Sequence, residues 1–363
     1  MTDKKASAPK VGVVAAMLLL ALGAGVVAHY SGWIETAEAE PQSAAAAGPA
    51  ASQVADGGAT ASPRFDLQGH RGARGLAPEN TLTGFHKALR LGVDTLELDL
   101  ALTRDGVLVV THDAALNPDI VRWPDGEWLN AVGPAIRSLT LDEVKRFDVG
   151  RIEPNSRYAR MFPDQEPADG ERIPTLKEVV DLARAIRPDA RFNIEIKINP
   201  GKPEETADGV TFARAVVDFI RDEKLLNNVV VQSFDYAALQ AVRKIEPRIA
   251  LACLSVQRAN FDNIRVGQPG PSPWTGGVDV DELGGSVPAL AKAIGCAVWS
   301  PHWRDVDAVR VHLAHDLGLK VIPWTVNKPD DIAQILTMPI DGLITDYPDR
   351  ARALMQERGL GTR

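Results

Sequence analysis

The feature that most constrains this chain is a rhythm. From residue 65 onward, short apolar runs alternate with stretches of helical period, and the alternation repeats eight times. The runs "FDLQGH", "DTLELDLAL", "RFNIEIKI", "NVVVQSF", "IALACLSV", "CAVWSPHW", "KVIPWTV" and "DGLITD" read as strands. Helices fill the gaps between them. "NTLTGFHKALRLG" takes Asn80 or Thr81 as its cap and Leu82, Phe85, Ala88 and Leu89 as its apolar stripe. "PTLKEVVDLARAI" opens on a capping box of Thr175 and Glu178, and a last helix follows Pro348. Apolar strands separated by helices imply a parallel sheet. Eight such units predict an α/β fold of the closed (β/α)8 type, a TIM barrel over residues 65–363. An open doubly wound sheet is the other arrangement, but no Gly-rich phosphate loop opens a helix here.

Two segments depart from the rhythm. The second strand returns on itself: Arg104-Asp105-Gly106-Val107 has the form of a two-residue hairpin, which adds an extra strand. Pairing Arg104 with Val107 would set Asp99 opposite His112. Residues 114–173, rich in Pro, Gly, Asp and Trp, read as an insertion after the second strand. It carries a short helix capped by a Thr140 and Glu143 box. Trp123 and Trp128 inside it suit either a small satellite core or a lipid-facing rim.

The N-terminal segment stands apart from the barrel. Lys4, Lys5 and Lys10 precede an apolar run over residues 11–28, so residues 1–34 read as a signal peptide or a signal-anchor helix. Residues 35–64, dominated by Ala, Gly, Ser and Pro, read as a flexible linker. Both readings export the remainder to the periplasm or the cell exterior, either released or held at the membrane by residues 11–28. A formal net charge of −8 argues against nucleic acid as a partner. The two cysteines, Cys253 and Cys296, form no C-x-x-C pair. They could form one disulfide in an oxidising compartment, but both fall in predicted strands, which favours two small buried apolar residues.

In a barrel of this kind the active site gathers where the strands end. Those ends are polar: Gln68 to Gly72, Glu97 and Asp99, Glu195 and Lys197, Gln232 to Phe234, His302, Trp324 to Asn327, and Thr345 with Asp346. In "NIEIKI", Glu195 and Lys197 share one face while Ile194, Ile196 and Ile198 share the other. The isoleucines suit a helix-covered surface, which turns the charges into the barrel mouth. Buried charge is costly without partners. Glu97, Asp99 and Glu195 make an oxygen-rich site suited to Mg²⁺ or Ca²⁺, and to Mn²⁺. His70 and His112 can divide acid and base duties. Arg71 and Lys197 can hold a phosphate. His86, His312 and His315 fall on helices as surface residues.

Together these residues carry a resemblance. "HRGARGLAPENT", "ELDLALTRDGVLVVTHD", "NIEIK", "VVVQSFD", "WTVN" and "DGLITDYP" resemble the glycerophosphodiester phosphodiesterase family over roughly residues 65–350. The resemblance implies a barrel with an insertion after its second strand. It implies Glu97, Asp99 and Glu195 as ligands of a divalent metal and His70 and His112 as the catalytic pair. Arg71 and Lys197 would lie near the phosphate, and Gln232, Phe234 and Trp324 are further candidates for substrate contact. The expected partner is a small glycerophosphodiester. Expected chemistry is metal-dependent hydrolysis to glycerol 3-phosphate and an alcohol. Two alternatives stay open: a lysophospholipase D acting on lysophospholipids, and a catalytically silent barrel that binds phosphate esters. Residues 257–296 match no motif of the family.

Overall fold

The computed structural model describes residues 65–361. The expectations for residues 1–34 and 35–64 lie outside these. Among the described residues no helix is long and apolar enough to cross a membrane.

The chain opens with β1 (Asp66–Gly69), α1 (Leu82–Leu91), β2 (Thr95–Leu102) and β3 (Leu108–Val110). The insertion follows, with α2 (Leu141–Val144) and α3 (Arg157–Met161). Regular alternation then resumes with α4 (Leu176–Ile186), β4 (Arg191–Ile196), α5 (Gly209–Asp222), β5 (Val229–Ser233), α6 (Tyr236–Ile245) and β6 (Ala250–Ser255). A small ribbon, β7 (Gln257–Arg258) with β8 (Phe261–Asp262), interrupts it. The last elements are α7 (Val287–Ile294), β9 (Val298–Pro301), α8 (Ala308–Asp316), β10 (Lys320–Val321), α9 (Pro329–Ile335), β11 (Gly342–Thr345) and α10 (Pro348–Glu357).

Eight parallel strands run in the order β10-β9-β6-β5-β4-β2-β1-β11, with β3 antiparallel to β2. The two ends of this row meet. Asp341 N–H donates to the Val321 carbonyl at 2.9 Å, Ile344 N–H to Pro323 at 2.9 Å, and Val326 N–H to Ile344 at 3.0 Å. The sheet is thus a TIM barrel, as the eight-unit rhythm predicts. Outward residues such as Leu96, Leu98, Leu100, Ile194 and Ile196 are fully buried in the main core under the helices. Helix starts follow local chemistry. Thr81, rather than Asn80, caps α1 through the Gly84 N–H. Thr140 with Glu143 and Thr175 with Glu178 form the expected capping boxes of α2 and α4.

The barrel interior is divided. On the β6, β9, β10 and β11 side it is filled by Ala252, Val298, Ile322 and Ile344. On the β1, β4 and β5 side it carries amides: Asn193 donates to Gln68 at 2.8 Å and to Gln232 at 2.9 Å. The insertion has its own core of Val109, Leu116, Val121, Leu129, Ile136, Val144, Phe147, Val149 and Ile173. Trp123 lies at its edge, 39% exposed and 5.4 Å from the Phe147 ring, and Trp128 lies under the Arg122 guanidinium at 5.5 Å.

The cysteine expectation is corrected. Cys253 and Cys296 form a disulfide with a Cα–Cα distance of 5.9 Å. Cys253 sits in β6 as expected. Cys296 instead lies just beyond α7, past the left-handed cap at Gly295, and this turn brings its side chain back to the outer face of β6.

Candidate active site

Parallel register brings the carboxylates together. Asp99 on β2 pairs with Glu195 on β4, and Glu195 in turn with Gln232 on β5. Glu97 lies two residues before Asp99, on the same inward face. One oxygen from each of Glu97, Asp99 and Glu195 falls within 4.8 Å of the others, and all three side chains are buried. Burial, reinforced by the charges of Asp99 and Glu195, pushes the Glu97 carboxyl well above its usual range. Burial also pushes Glu195 up to about 7, against the pull of Lys197. Burial acts the same way on Asp99, but Lys197, Arg71 and His112 hold it well below the ordinary value.

The loop after β1 wraps this cluster. His70, Arg71 and Gly72 follow β1 directly, with Arg71 at φ 50° and Gly72 at φ 87°. A side chain at Gly72 would strike the Gly84 backbone at 2.7 Å, so the third residue of His-Arg-Gly must be glycine. The turn aims the Arg71 N–H at Glu97 Oε2, 2.8 Å away. Farther along, Glu79 Oε1 accepts from Arg71 Nη1 at 2.7 Å and Asn80 Nδ2 donates to Asp99 Oδ2 at 2.9 Å. "PENT" is therefore three functions in a row: a counterion for Arg71, an amide for Asp99 and the cap of α1. Of these three, the cap alone follows from the sequence pattern.

The two histidines are wired separately. His70 Nδ1 lies 2.7 Å from Asp346 Oδ1, and its Nε2 lies 3.9 Å from Glu97 Oε2. Asp346 also accepts from Arg74 Nε at 2.7 Å, Arg74 Nη2 at 2.9 Å and Asn327 Nδ2 at 2.7 Å. Burial lowers the His70 pKa to about 4, with Asp346 opposing. Although burial disfavours its charge, Asp346 is held well below the usual carboxylate range by Arg74 and His70. His112 Nδ1 lies 3.0 Å from Asp113 Oδ1, and Asn117 steadies Asp113 at 2.8 Å. Burial lowers its pKa too, followed by the charges of Arg71 and Lys197.

The hairpin register differs from expectation by one residue. Leu100 pairs with Val110 and Leu102 with Leu108, and the Thr111 N–H donates to the Asp99 carbonyl at 3.0 Å. Asp99 is opposite Thr111, not His112. The turn holds three residues instead of two. Thr103 N–H reaches the Val107 carbonyl at 3.0 Å, and Gly106 takes φ 80°. An Asp-Gly pair serves this glycine-bulge loop as well as a two-residue turn. The slip alone would turn His112 away, but β3 stops at Val110 and the chain leaves the pleat. His112 returns close enough to Asp99 for each charge to act on the other.

The cations are paired with the carboxylates. Lys197 Nζ lies 2.9 Å from Glu195 Oε1 and 3.5 Å from Asp99 Oδ1, and Arg71 Nε lies 3.3 Å from Asp99 Oδ2. Asp99 Oδ1 nonetheless accepts no hydrogen bond although it is buried. An orphaned carboxylate oxygen beside two carboxyls driven toward protonation fits a hard divalent cation, so the cluster could hold one.

Gln232 is buried against Glu97. It is 1% exposed and donates from Nε2 to Glu97 Oε1 at 2.8 Å while accepting from Asn193. Its amide is thus engaged by Glu97 and Asn193. Phe234 and Trp324, which follow β5 and β10, belong to an edge-to-face row. Trp324 meets Phe234 at 5.3 Å, Phe234 meets Phe261 at 5.7 Å, and Phe261 meets Trp274 at 5.1 Å. His302 joins its end at 5.4 Å from Trp324, its pKa lowered to about 3 by burial and by Arg258 and Arg304. Phe261 and Trp274 lie in the segment without family motifs, where only their aromatic character could have flagged them. His86, His312 and His315 are exposed.

A model of the glycerophosphoryl diester phosphodiesterase family matches residues 70–350. The chain belongs to this family. A glycerophosphodiester phosphodiesterase of Caldanaerobacter subterraneus subsp. tengcongensis is 29% identical, over 80% of this chain and 97% of its own. One from Bacillus altitudinis is 30% identical, over 79% and 97%. A crystal structure from Silicibacter pomeroyi, assigned to the same family, is 34% identical and superposes with a TM-score of 0.73, covering 83% of this chain and 96% of that one. An Oleispira antarctica phosphodiesterase, solved with the product sn-glycerol-3-phosphate, shares the fold at 23% identity and a TM-score of 0.56, over 80% and 96%.

Proposed function

We propose that this chain hydrolyses glycerophosphodiesters to glycerol 3-phosphate and an alcohol. In this reading Glu97, Asp99 and Glu195 hold the divalent cation, Mg²⁺ or Ca²⁺ with Mn²⁺ as a substitute. His70 and His112 form the acid–base pair. One observation carries the reading: three buried carboxylates lie between two histidines whose Nδ1 atoms are each taken by a carboxylate. The cation, when bound, neutralises phosphate oxygens and polarises the reacting centre. Arg71 and Lys197, already on the cluster, hold the remaining phosphate charge.

His70 suits the base. An Nδ1 proton shared with Asp346 leaves Nε2 as the acceptor, and burial, which lowers its pKa, keeps the ring neutral at neutral pH. It takes the proton from the nucleophile, either water or the glycerol 2-hydroxyl. His112, steadied by Asp113, donates to the leaving alkoxide. A pure binder of phosphate esters has no need for two histidines so arranged. The test is incubation with glycerophosphocholine and Mg²⁺ or Ca²⁺, reading glycerol 3-phosphate. Absence of turnover on every glycerophosphodiester in the presence of metal would overturn the proposal.

A lysophospholipase D is the second reading. The aromatic row from Trp324 to Trp274 favours it, because it extends apolar surface away from the charged cluster. Relative rates on glycerophosphocholine and lysophosphatidylcholine separate the two. We also propose that the chain is exported, released or anchored through residues 11–28. The Cys253–Cys296 disulfide supports export, since such bonds persist in oxidising compartments. Cell fractionation with detection of the protein tests it.

A further inference from the structure

Neither the motifs nor the acid–base scheme uses Tyr158. It lies on α3 of the insertion and is 6% exposed. Its hydroxyl donates to Glu79 Oε2 and accepts from Arg74 Nη1 at 3.2 Å. On one side, Glu79 grips Arg71 at 2.7 Å. On the other, Arg74 grips Asp346, which holds His70 Nδ1 at 2.7 Å. Since His70 and Arg71 are neighbours in the chain, the six side chains close a ring. Tyr158 joins the two Arg–carboxylate arms and is the member that comes from the insertion.

The ring answers a physical problem. The loop from His70 to Asn80 bends through left-handed residues at Arg71 and Asn80 and has no strand partner of its own along that stretch. Its side chains must still aim a base and a phosphate ligand at one point. Two Arg–carboxylate pairs balance charge but would leave each arm free to shift independently. A single hydroxyl shared by both arms locks them to each other. Burial raises the Tyr158 pKa well above its ordinary value, so the hydroxyl stays a donor at any working pH. The insertion grips this loop at further points. Phe162 lies 4.6 Å under the Arg74 guanidinium and 5.1 Å from the Tyr158 ring, and Gln165 Nε2 donates to the Arg74 carbonyl at 2.7 Å.

We propose that Tyr158 is a positioning residue for the hydrolysis. Through its hydroxyl the insertion sets the relative placement of His70 and Arg71. The inference rests on the proposed function and extends it to a segment outside the barrel. Tyr158→Phe keeps the ring and its packing and removes only the oxygen. With glycerophosphocholine and Mg²⁺, kcat is expected to fall about 10- to 100-fold, the usual scale for misplacing a reacting group. The melting temperature and the calorimetric affinity for Mg²⁺ should stay near wild type. Glu79→Gln should fall similarly, and the double variant should lose little more than either single one. Phe147→Leu, which loosens the insertion core away from the ring, should lower the melting temperature with kcat retained. Wild-type kcat in Tyr158→Phe would overturn the inference, as would fully additive losses with Glu79→Gln or a kcat loss that merely tracks melting temperature across the three variants. Inactive wild type would instead fail the proposed function itself.

Discussion

The two halves of the barrel mouth are built on opposite principles. From the ends of β1, β2, β3, β4 and β11 come two histidines, two arginines, a lysine and a set of carboxylates, nearly all buried and paired. From β5, β9 and β10, with the β7–β8 ribbon and the loop after it, comes a row of aromatic rings. The charged half is expensive to fold, because each ion needs a partner inside the protein. Its geometry is therefore tightly specified, down to the amides of Gln232 and Asn80 that hold Glu97 and Asp99. Aromatic packing is tolerant, since apolar rings accept many shapes of partner. In the proposed function the first half performs the reaction and the second selects the alcohol. Each experiment below strikes one half and asks whether the other responds.

The largest effect is expected at His112. His112→Ala should slow turnover of glycerophosphocholine by about 10²–10⁴-fold, the common contribution of a general acid or base. Mg²⁺ affinity measured by calorimetry should barely change. With a p-nitrophenyl phosphodiester the loss should shrink, because that leaving group needs little protonation. An equal loss on both substrates would assign His112 some role other than the acid.

Next come the supports of the metal cluster. Asp99→Asn removes a carboxylate that Arg71, Lys197 and Asn80 all contact, and Mg²⁺ affinity should fall. Gln232→Leu leaves Glu97 Oε1 without its donor, and the expected weakening is about 10- to 100-fold, as for other supports of metal ligands. Should Gln232→Leu instead raise KM alone with metal affinity intact, Gln232 would return to the substrate.

How much of this was legible in the sequence follows the same divide. Eight strands, the extra hairpin and the insertion show in periodicity, because barrel strands buried on both sides read as apolar runs. Glu97, Asp99, Glu195, His70 and His112 show because charge at the end of such a run has no packing role. The hairpin register did not show, since Asp-Gly serves two-residue and three-residue turns alike. The hydrogen bond from Gln232 to Glu97 does not show either, because sequence does not tell a side chain facing the mouth from one lying beneath it. Glu79, Arg74 and Tyr158 depend on a loop folding back on an insertion, a contact that no periodicity encodes. The disulfide is hidden because Cys296 sits in the turn after α7, where the apolar pattern of the following strand already begins.

Stability against pH should sharpen the cost of the charged half. Unfolded, His70 would take a proton near pH 6.5, whereas folded its pKa is lowered to about 4. Between these values the unfolded state binds more protons, so stability rises with pH and is lost as pH falls through 6.5 toward 4. Between pH 7 and pH 5 the loss from this one group is about 2 kcal/mol. Urea unfolding at the two pH values should show it in the wild type, and His70→Gln should show a smaller drop. An identical drop in both proteins would move the acid sensitivity to other groups and leave His70 no more costly than a surface histidine.

The smallest effect should come from the aromatic half, and it should differ in kind. Trp274 meets Phe261 edge to face at 5.1 Å, at the end of the row away from Trp324. Pairs of this type contribute about 0.5–1.5 kcal/mol beyond burial, which converts to about 2- to 10-fold. Trp274→Ala should therefore change kcat/KM by about that factor, and unequally among substrates that share the glycerophosphate but differ in the alcohol. Mg²⁺ affinity should stay fixed, because the charged half is held by its own charged and amide partners. If lysophosphatidylcholine loses more than glycerophosphocholine, the row receives the acylated end. If all substrates lose equally, the rings act on the common glycerophosphate, and the division of labour between the two halves fails while the chemistry of the charged half stands.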